Sequence, residues 1–573
     1  MKVLLVHSRD IPHRWASERW DRIIDLSWAP TNIYCQWTQE LQCCVEPLEK
    51  YHRLQQDLDF VRKVSKKGKF INDKKNINWW ELFILYFTEQ IQLIASLRRL
   101  TESLDQSDQV FITRPCFEAR VLDYLRKPPS CSLSKEMVRE KIRDHAKKMW
   151  AMPLGQLREI FWDKYDTTFA IRARFTKTRE AATAPLILIP STYINTSRTA
   201  MSFATSLPDQ NFLLVTTRES GRIRSAPKNV QTISLAAYSS KKSSTEEYAD
   251  IFEAWQELRK ELVSSPETAI MESLGLFNTF PKFVEQGLAI RDAWARVLDN
   301  EPVQAVLCCD NNPYTLLPVL LAKEKNIPTV SCHHGALDWR YRIMSAHADV
   351  ILAKGRMEED YLSRVCRVPV EKIKVGSPKS YPKILRKGES RSTSSIIFFS
   401  EAYEENKARG REFYKEVVTP LADLAIKTGR MLVVKLHPFE SLRERQALVK
   451  EILTVEQQRV VQVVAGPLTS ELLQHAWFGV TVLSTVAMEC AGAGIPCFLC
   501  EWLQYPHHGY GEQFLRFNVG HPLQASAEIQ NIPEILNSLP CESLSPSSLW
   551  HVIPPNELQQ LFLEEKYCLA ASS

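Results

Sequence analysis

Short runs of consecutive apolar residues, each followed by polar residues, recur along the chain at spacings that leave room for a helix between them. Such runs mark strands buried on both faces, as in a parallel sheet. The first is Val3 to Val6, which predicts the opening strand of an α/β unit. Leu-Ile-Leu-Ile within Pro185 to Pro190 and then Phe212 to Thr216 follow, with a helical stretch from Ser197 to Ser206 between them. Strand, helix, strand predicts a right-handed parallel crossover. From Val303 the alternation is regular, with strands at Val303–Cys309, Pro328–Cys332 and Ala348–Ala353 and helices at Pro313–Lys325 and Met357–Arg364. A second series has strands at Ile396–Ser400, Met431–Leu436, Val460–Val464, Phe478–Leu483 and Pro496–Cys500. Its helices are Asn406–Thr428, Leu442–Leu453, Thr469–His475 and Val486–Ala493.

Three stretches break the alternation. Residues 33 to 150 are rich in Gln, Glu, Lys and Leu, and apolar positions such as Leu82, Leu85, Tyr86, Ile91 and Leu97 suit helices, so they read as a mostly helical insertion. Residues 219 to 245 read as a loose connection ahead of helices near 246–263 and 281–299. Residues 377 to 395 are polar, contain prolines and lack apolar periodicity, as an interdomain linker does. The prediction is an α/β protein of two Rossmann-like, doubly wound domains facing a cleft. Residues 1–380 form the N-terminal domain with its insertion at about 33–150, 381–395 the linker, and 396–573 the C-terminal domain.

Composition agrees with that division. A chain of 573 residues exceeds the roughly 250–300 that one core organises, and 45% hydrophobic with 24% charged residues describes an ordinary globular protein. A net charge of +5 is too small for a chain of this size to point to nucleic acid. The 14 Cys are scattered without zinc-site spacing, and Cys308-Cys309 sits in an apolar strand run, as core thiols do in a reducing cytosol. The N-terminal apolar run is too short for a signal peptide and none approaches the roughly 20 residues of a spanning helix, so the expected location is cytoplasmic.

In open α/β sheets, ligands sit beyond the carboxyl ends of the strands. Lys435-Leu436-His437-Pro438 follows one strand of the second series. Ser484-Thr485-Val486-Ala487-Met488-Glu489 follows another, leading to Gly494-Ile495-Pro496. A helix starting at Ser484 or Thr485 presents unpaired N–H groups that suit a phosphate, and Lys435 and His437 add positive charge and donors. Glu489, about one turn into that helix, can accept hydrogen bonds from a vicinal diol such as a ribose. Each feature alone also has a bland reading, as a cap, a solvated carboxylate or a strand end.

This succession, continued by Glu512-Gln513, resembles the donor half of GT-B glycosyltransferases, in the style of capsule and cell-surface polysaccharide transferases, polysialyltransferases and CDP-glycerol glycerophosphotransferases. The resemblance implies that His437, Pro438, Ser484 and Thr485 hold the donor nucleotide and its phosphates, that Glu489 is the nucleotide-sugar carboxylate, and that Glu512 and Gln513 touch the donor sugar. The first domain is similar to the same group through Asn326-Ile-Pro-Thr, His333-His334-Gly335-Ala336, Ala348-Asp349, Gly355 and Ile373-Lys-Val-Gly376-Ser377-Pro378. In the glycerophosphate-polymerising relatives the His of the His-Gly pair is the base, which the resemblance carries to His334. A neutral imidazole can take a proton from an acceptor hydroxyl at physiological pH.

Asp310 is a second candidate for base or orienting group, and His333, Gly335, Arg198 and Arg218 are acceptor-side candidates. Asp57-Leu58-Asp59 lies in the insertion rather than after a strand, so no metal and no cofactor is expected; Lys435, His437 and helix N-termini take the metal's electrostatic part. The basic run Arg62, Lys63, Lys66, Lys67, Lys69, Lys74 and Lys75 beside Trp79-Trp80 has two readings. One is a solvated face next to a core helix, the other peripheral contact with the inner face of an anionic membrane. The expected function is transfer of a sugar or sugar-like group from a nucleotide-sugar donor to a carbohydrate or lipid-linked hydroxyl acceptor in cell-surface polysaccharide or glycolipid synthesis. The alternatives are a non-hydrolysing nucleotide-sugar 2-epimerase and a non-catalytic nucleotide-binding scaffold.

Overall fold

The computed structural model of the chain describes residues 1–6, 18–26, 38–39, 41–113, 117–126, 182–218, 221–223, 225–239, 245–309, 312–335, 347–378, 394–401, 407–438, 440–503, 510–538 and 549–563. Their strands fall into three sheets, and every strand pair within them is parallel. The first sheet holds β1 (Lys2–Val6), β2 (Arg22–Asp25), β3 (Val45–Pro47) and β4 (Gln109–Ile112) in the order β3-β2-β1-β4. The second holds β5 (Leu186–Ser191), β6 (Asn211–Thr216), β7 (Val230–Ser234), β8 (Val303–Cys308), β9 (Thr329–Cys332), β10 (Val350–Ala353) and β11 (Ile373–Val375) in the order β11-β10-β9-β8-β5-β6-β7. The third holds β12 (Ser395–Phe399), β13 (Met431–Lys435), β14 (Val461–Val464), β15 (Ala476–Thr481), β16 (Cys497–Cys500) and β17 (His521–Leu523) in the order β14-β13-β12-β15-β16-β17. The second and third sheets are each doubly wound, with reversals of winding between β5 and β8 and between β12 and β15. That is the α/β class the apolar runs predict.

The first sheet corrects the reading of the N-terminal region. Val3–Val6 does not open the second sheet, because both edges of β1 are taken by β2 and β4 within the region's own sheet. The segment read as a helical insertion does contain helices at Leu54–Lys67, Trp79–Ile84, Thr88–Glu102 and Phe117–Leu125, but it also supplies β3 and β4. Those strands have only three and four residues, too short to stand out as apolar runs. Residues 127–150 of that segment and most of the expected linker lie outside the described residues.

Edge strands explain the other omissions. β7, inside the stretch read as a loose connection, is Val-Gln-Thr-Ile-Ser, and β11 and β17 are equally mixed in polarity. Each pairs on one side only, so it need not be apolar on both faces. Central β5, by contrast, is buried at all six positions.

The N-terminal unit is fixed to the second sheet's helices by apolar packing and buried charge. Trp80 stacks on Trp255 with ring centroids 5.6 Å apart and packs edge-on against Phe277 and Phe280. The Arg291 guanidinium, buried on helix Phe280–Asn300, bonds Asp73 at 2.7 Å and Glu247 at 2.6 Å. Trp79 and Trp80 are fully buried, so they belong to this core and have no surface to offer a membrane.

The C-terminal segment returns to the second sheet, although the sequence reading gave all of 396–573 to the donor side. Ser377 donates to the His551 carbonyl at 2.8 Å, and the His551 amide donates to the Lys354 carbonyl at 2.8 Å. Leu558, Leu561 and Phe562 pack with Val330 and Leu352 beneath β9 and β10. Among the described residues no helix is long and apolar enough to cross a membrane.

Candidate functional site

Ligands of doubly wound sheets sit beyond the carboxyl ends of the strands, and here the carboxyl end of β10 in the second sheet brings Lys354 close enough to act on Glu489 of the third. On the third sheet, β12 ends at Ser400-Glu401, β13 runs into His437, and β15 leads through Ser484 into the short helix Val486–Gly492. Glu401 is half-buried and accepts from the Leu483 amide at 2.7 Å, which shapes the loop carrying Ser484. Burial raises the Glu401 pKa, opposed by the Leu483 N–H and the Thr481 hydroxyl. Glu440 does the same for the other loop: it accepts from the His437 amide at 2.8 Å and is ion-paired with Arg445 at 2.8 Å.

The charges at this end are shifted by their surroundings. The buried Lys435 ammonium donates to the carbonyls of Leu436 at 3.0 Å and Gly466 at 2.6 Å. Burial lowers its pKa, against the pull of Glu440 and Glu489. His437 is half-buried, and burial together with Lys435 lowers its pKa, which keeps the imidazole neutral at pH 7. Glu489 is enclosed by protein yet still partly accessible, the position of a group on a cleft floor. Burial raises its pKa to about 7, although Lys354 and Lys435 both favour its ionised form. Its carboxylate has no hydrogen-bond partner among the described residues. Ser484 Oγ accepts from the Val486 amide at 3.4 Å, whereas Thr485, the N-cap, makes no side-chain cap. Pro438 is exposed beside them.

On the second sheet, β9 ends in the His-His-Gly turn. His333 is buried with its Nδ1 3.0 Å from the Gly335 carbonyl and 3.2 Å from the Gly335 amide. His334 is half-buried, its ring stacked on His333 at 4.8 Å and edge-on to Tyr193 at 4.9 Å. The Tyr193 hydroxyl, just past β5, hydrogen-bonds the His334 ring, lying 3.0 Å from Nδ1 and in contact with Nε2. A Cβ built on Gly335 meets nothing within 4 Å, so the missing side chain leaves open space beside His334.

Lys354, one residue past β10, links the two sheets. Its ammonium donates to Glu358 at 2.8 Å and to the Gly335 carbonyl at 3.2 Å, and lies 5.9 Å from the Trp550 ring centroid. Trp550 in turn packs on Gly492 of the helix that carries Glu489. Lys354 therefore joins the His-Gly turn to the Glu489 carboxylate of the third sheet. Neither Lys354 nor Glu401 was singled out from the sequence, although each sits at a strand's carboxyl end.

The remaining candidates separate. Gln513 is buried; its amide donates to the Met357 carbonyl at 2.7 Å and to Asp360 at 2.8 Å and accepts from Arg364 at 2.8 Å. It clasps the two domains together, and Glu512 beside it is exposed. Arg198 is exposed on the helix after β5, and Arg218 is half-buried beyond β6, both at the carboxyl edge of the second sheet. Asp310 lies outside the described residues. Asp57 is paired with Arg99 inside the N-terminal unit.

No protein-family model matches the chain, and no curated protein matches it in sequence. Among solved structures, it is similar to the UDP-GlcNAc 2-epimerase from Methanocaldococcus jannaschii, with 11% identity, 66% of this chain and 100% of that chain covered, and a TM-score of 0.42. The UDP-GlcNAc 2-epimerase from Neisseria meningitidis bound to UDP-GlcNAc gives 12%, 66%, 97% and 0.37 in the same order. A glycosyltransferase from Rickettsia africae gives 9%, 68%, 96% and 0.37. At these identities and scores the likenesses add nothing to the geometry above.

Proposed function

We propose that the chain is a GT-B type glycosyltransferase that moves a sugar or sugar-like group from a nucleotide-activated donor to a hydroxyl of a carbohydrate or lipid-linked acceptor. The observation that carries this reading is the partly accessible Glu489 carboxylate, without a hydrogen-bond partner among the described residues, influenced by Lys435 from its own domain and Lys354 from the other. A carboxylate so placed accepts from a ribose diol, while the lysines and the amides around Ser484 balance the donor's phosphates. Facing them, His334 takes the acceptor proton as the acceptor oxygen bonds to the transferred group, and the bond to the nucleotide phosphate breaks with its electron pair leaving on the nucleotide. Tyr193 holds the imidazole and marks where a substrate hydroxyl approaches it. The reading needs no metal, and it places the reaction inside the cell, in cell-surface polysaccharide or glycolipid synthesis.

The test is a thermal-shift and calorimetric screen with CMP, CDP, UDP, GDP and their sugars. One nucleotide series is expected to stabilise the protein, with the effect lost in Glu489→Gln and kept in His334→Ala. No shift with any of them overturns the reading in favour of a scaffold. Free epimerised sugar formed without acceptor overturns it in favour of an epimerase.

A further inference from the structure

A second concave, charged site lies at the other end of the acceptor-side sheet. A cavity of about 330 Å³ opens between the N-terminal unit and the start of β11. Arg62, Lys66 and Lys69 line it from the N-terminal unit, Arg367 and Lys372 from the turn before β11, and Glu81 supplies the one lining carboxylate. Lys372 reaches the carbonyl of Ala348, just ahead of β10, at 3.5 Å, which places the cavity at the amino ends of β10 and β11. The cleft residues Gly335 and Lys354 stand at the carboxyl ends of β9 and β10, so a strand's length of roughly 13 Å separates the two sites.

We infer that this cavity binds a compact polyanion carrying two or more phosphate groups. Five cations converge on one concave volume against a single lining carboxylate, Glu81, which lies 3.4 Å from His347 Nε2. Arg62, Lys66 and Lys69 have no carboxylate partner among the described residues. Arg367 pairs with Asp59 at 3.6 Å, at the exposed rim, where such a contact contributes little. Its backbone holds φ at 51°, the left-handed region that a non-glycine residue seldom adopts, and this turn directs the chain around the cavity. The volume falls at the lower end of small-ligand sites, which suits a di- or triphosphate group.

The basic run of the sequence thereby divides by role. The Lys67 ammonium bonds Ser264 at 2.9 Å and the Lys74 backbone amide donates to Glu247 at 2.8 Å, whereas Arg62, Lys66 and Lys69 share the cavity. A flat membrane-docking face would spread such charges and place aromatic rings beside them, but Trp79 and Trp80 are in the core. Because the walls come from two units, an occupant ties them together.

Inorganic pyrophosphate and tripolyphosphate, added to the full chain, test the site by thermal shift and calorimetry against chloride at matched ionic strength. Both are expected to stabilise the wild type, and the paired substitutions Lys66→Gln and Lys69→Gln to weaken binding about tenfold or more. These lysines are exposed, so the variant is expected to fold, which far-UV circular dichroism checks. Since the same probes fit the donor cleft, Lys435→Met separates the sites: the cavity's response persists there. An undiminished response in the lysine pair overturns the proposal, as does a response no larger than that of chloride. Vesicles rich in phosphatidylglycerol that sediment the protein while pyrophosphate leaves it unchanged also overturn it, in favour of a membrane surface.

Discussion

The two faces of the cleft are finished to different degrees. On the acceptor side, the polar groups around the His-Gly turn already satisfy one another: Lys354 holds Glu358 and the Gly335 carbonyl, and Tyr193 holds the His334 ring. On the donor side, loop positions are fixed from beneath by Glu401 and Glu440, but the group that faces the cleft, Glu489, has only long-range charges to answer it. Burying a carboxylate without a donor is costly, and a pKa raised to about 7 expresses that cost. The difference teaches which half awaits a ligand. Under the proposed function, the acceptor side is organised for chemistry before substrate arrives, and the donor side is completed by what it binds.

The largest expected effect separates the halves directly. His334→Ala removes the base from the finished side and is expected to lower turnover by about 10²- to 10⁴-fold while leaving nucleotide affinity within about twofold. Calorimetry alongside a transfer assay checks both numbers. Full turnover in the variant would remove His334 from the chemistry and leave Tyr193 or the region of Asp310 to supply it.

A smaller effect, on binding, follows from Glu489. Its pKa of about 7 means the carboxyl is largely protonated at pH 6 and ionised at pH 8, and only the ionised form accepts both hydrogen bonds of a diol. Nucleotide affinity is therefore expected to rise about tenfold from pH 6 to 8 and to level off above. The stability of the free protein moves the opposite way. A carboxyl whose folded pKa is raised contributes most below its ordinary value of 4.5 and loses that contribution as pH rises through about 7. Glu489→Gln is expected to flatten both profiles, and parallel slopes in wild type and variant would assign the titration to another group.

The same contrast shows how much was readable beforehand. The five strands expected in the third sheet lie within two residues of their expected positions, because parallel strands within a sheet must be apolar on both faces, whereas the short edge strand β17 did not register; Lys435, His437 and Ser484 stand at strand ends there, with Glu489 on the helix after β15. His334 was readable from its place after β9 and from the resemblance of its turn. Tyr193 carries no signal of its own in the sequence, because its partner stands 141 residues away and no local pattern joins them. Lys354 and Glu401 were missed for a different reason. A lone charged residue after a strand looks like any solvated turn until the opposite domain is in place. The N-terminal sheet was missed because strands of three or four residues carry too little pattern to register against long helices.

Gln513 gives the smallest expected effect on binding and the sharpest limit on the comparison. Resemblance placed it on the donor sugar, but each hydrogen-bonding atom of its amide is engaged by Met357, Asp360 or Arg364 across the domain junction. The Asp360 pKa is lowered by Gln513, Arg364 and Arg516, although burial works against them, so that carboxylate stays ionised and keeps the clasp charged through neutral pH. Gln513→Ala is accordingly expected to reduce stability by about 1–3 kcal/mol, the cost of stranding buried partners, while changing nucleotide-sugar affinity less than about threefold. Chemical denaturation and calorimetry on one preparation measure the two together. A variant of unaltered stability that has lost its preference between donor sugars would return Gln513 to the sugar, and the donor side would then have to rearrange on binding to free an amide that is now fully committed.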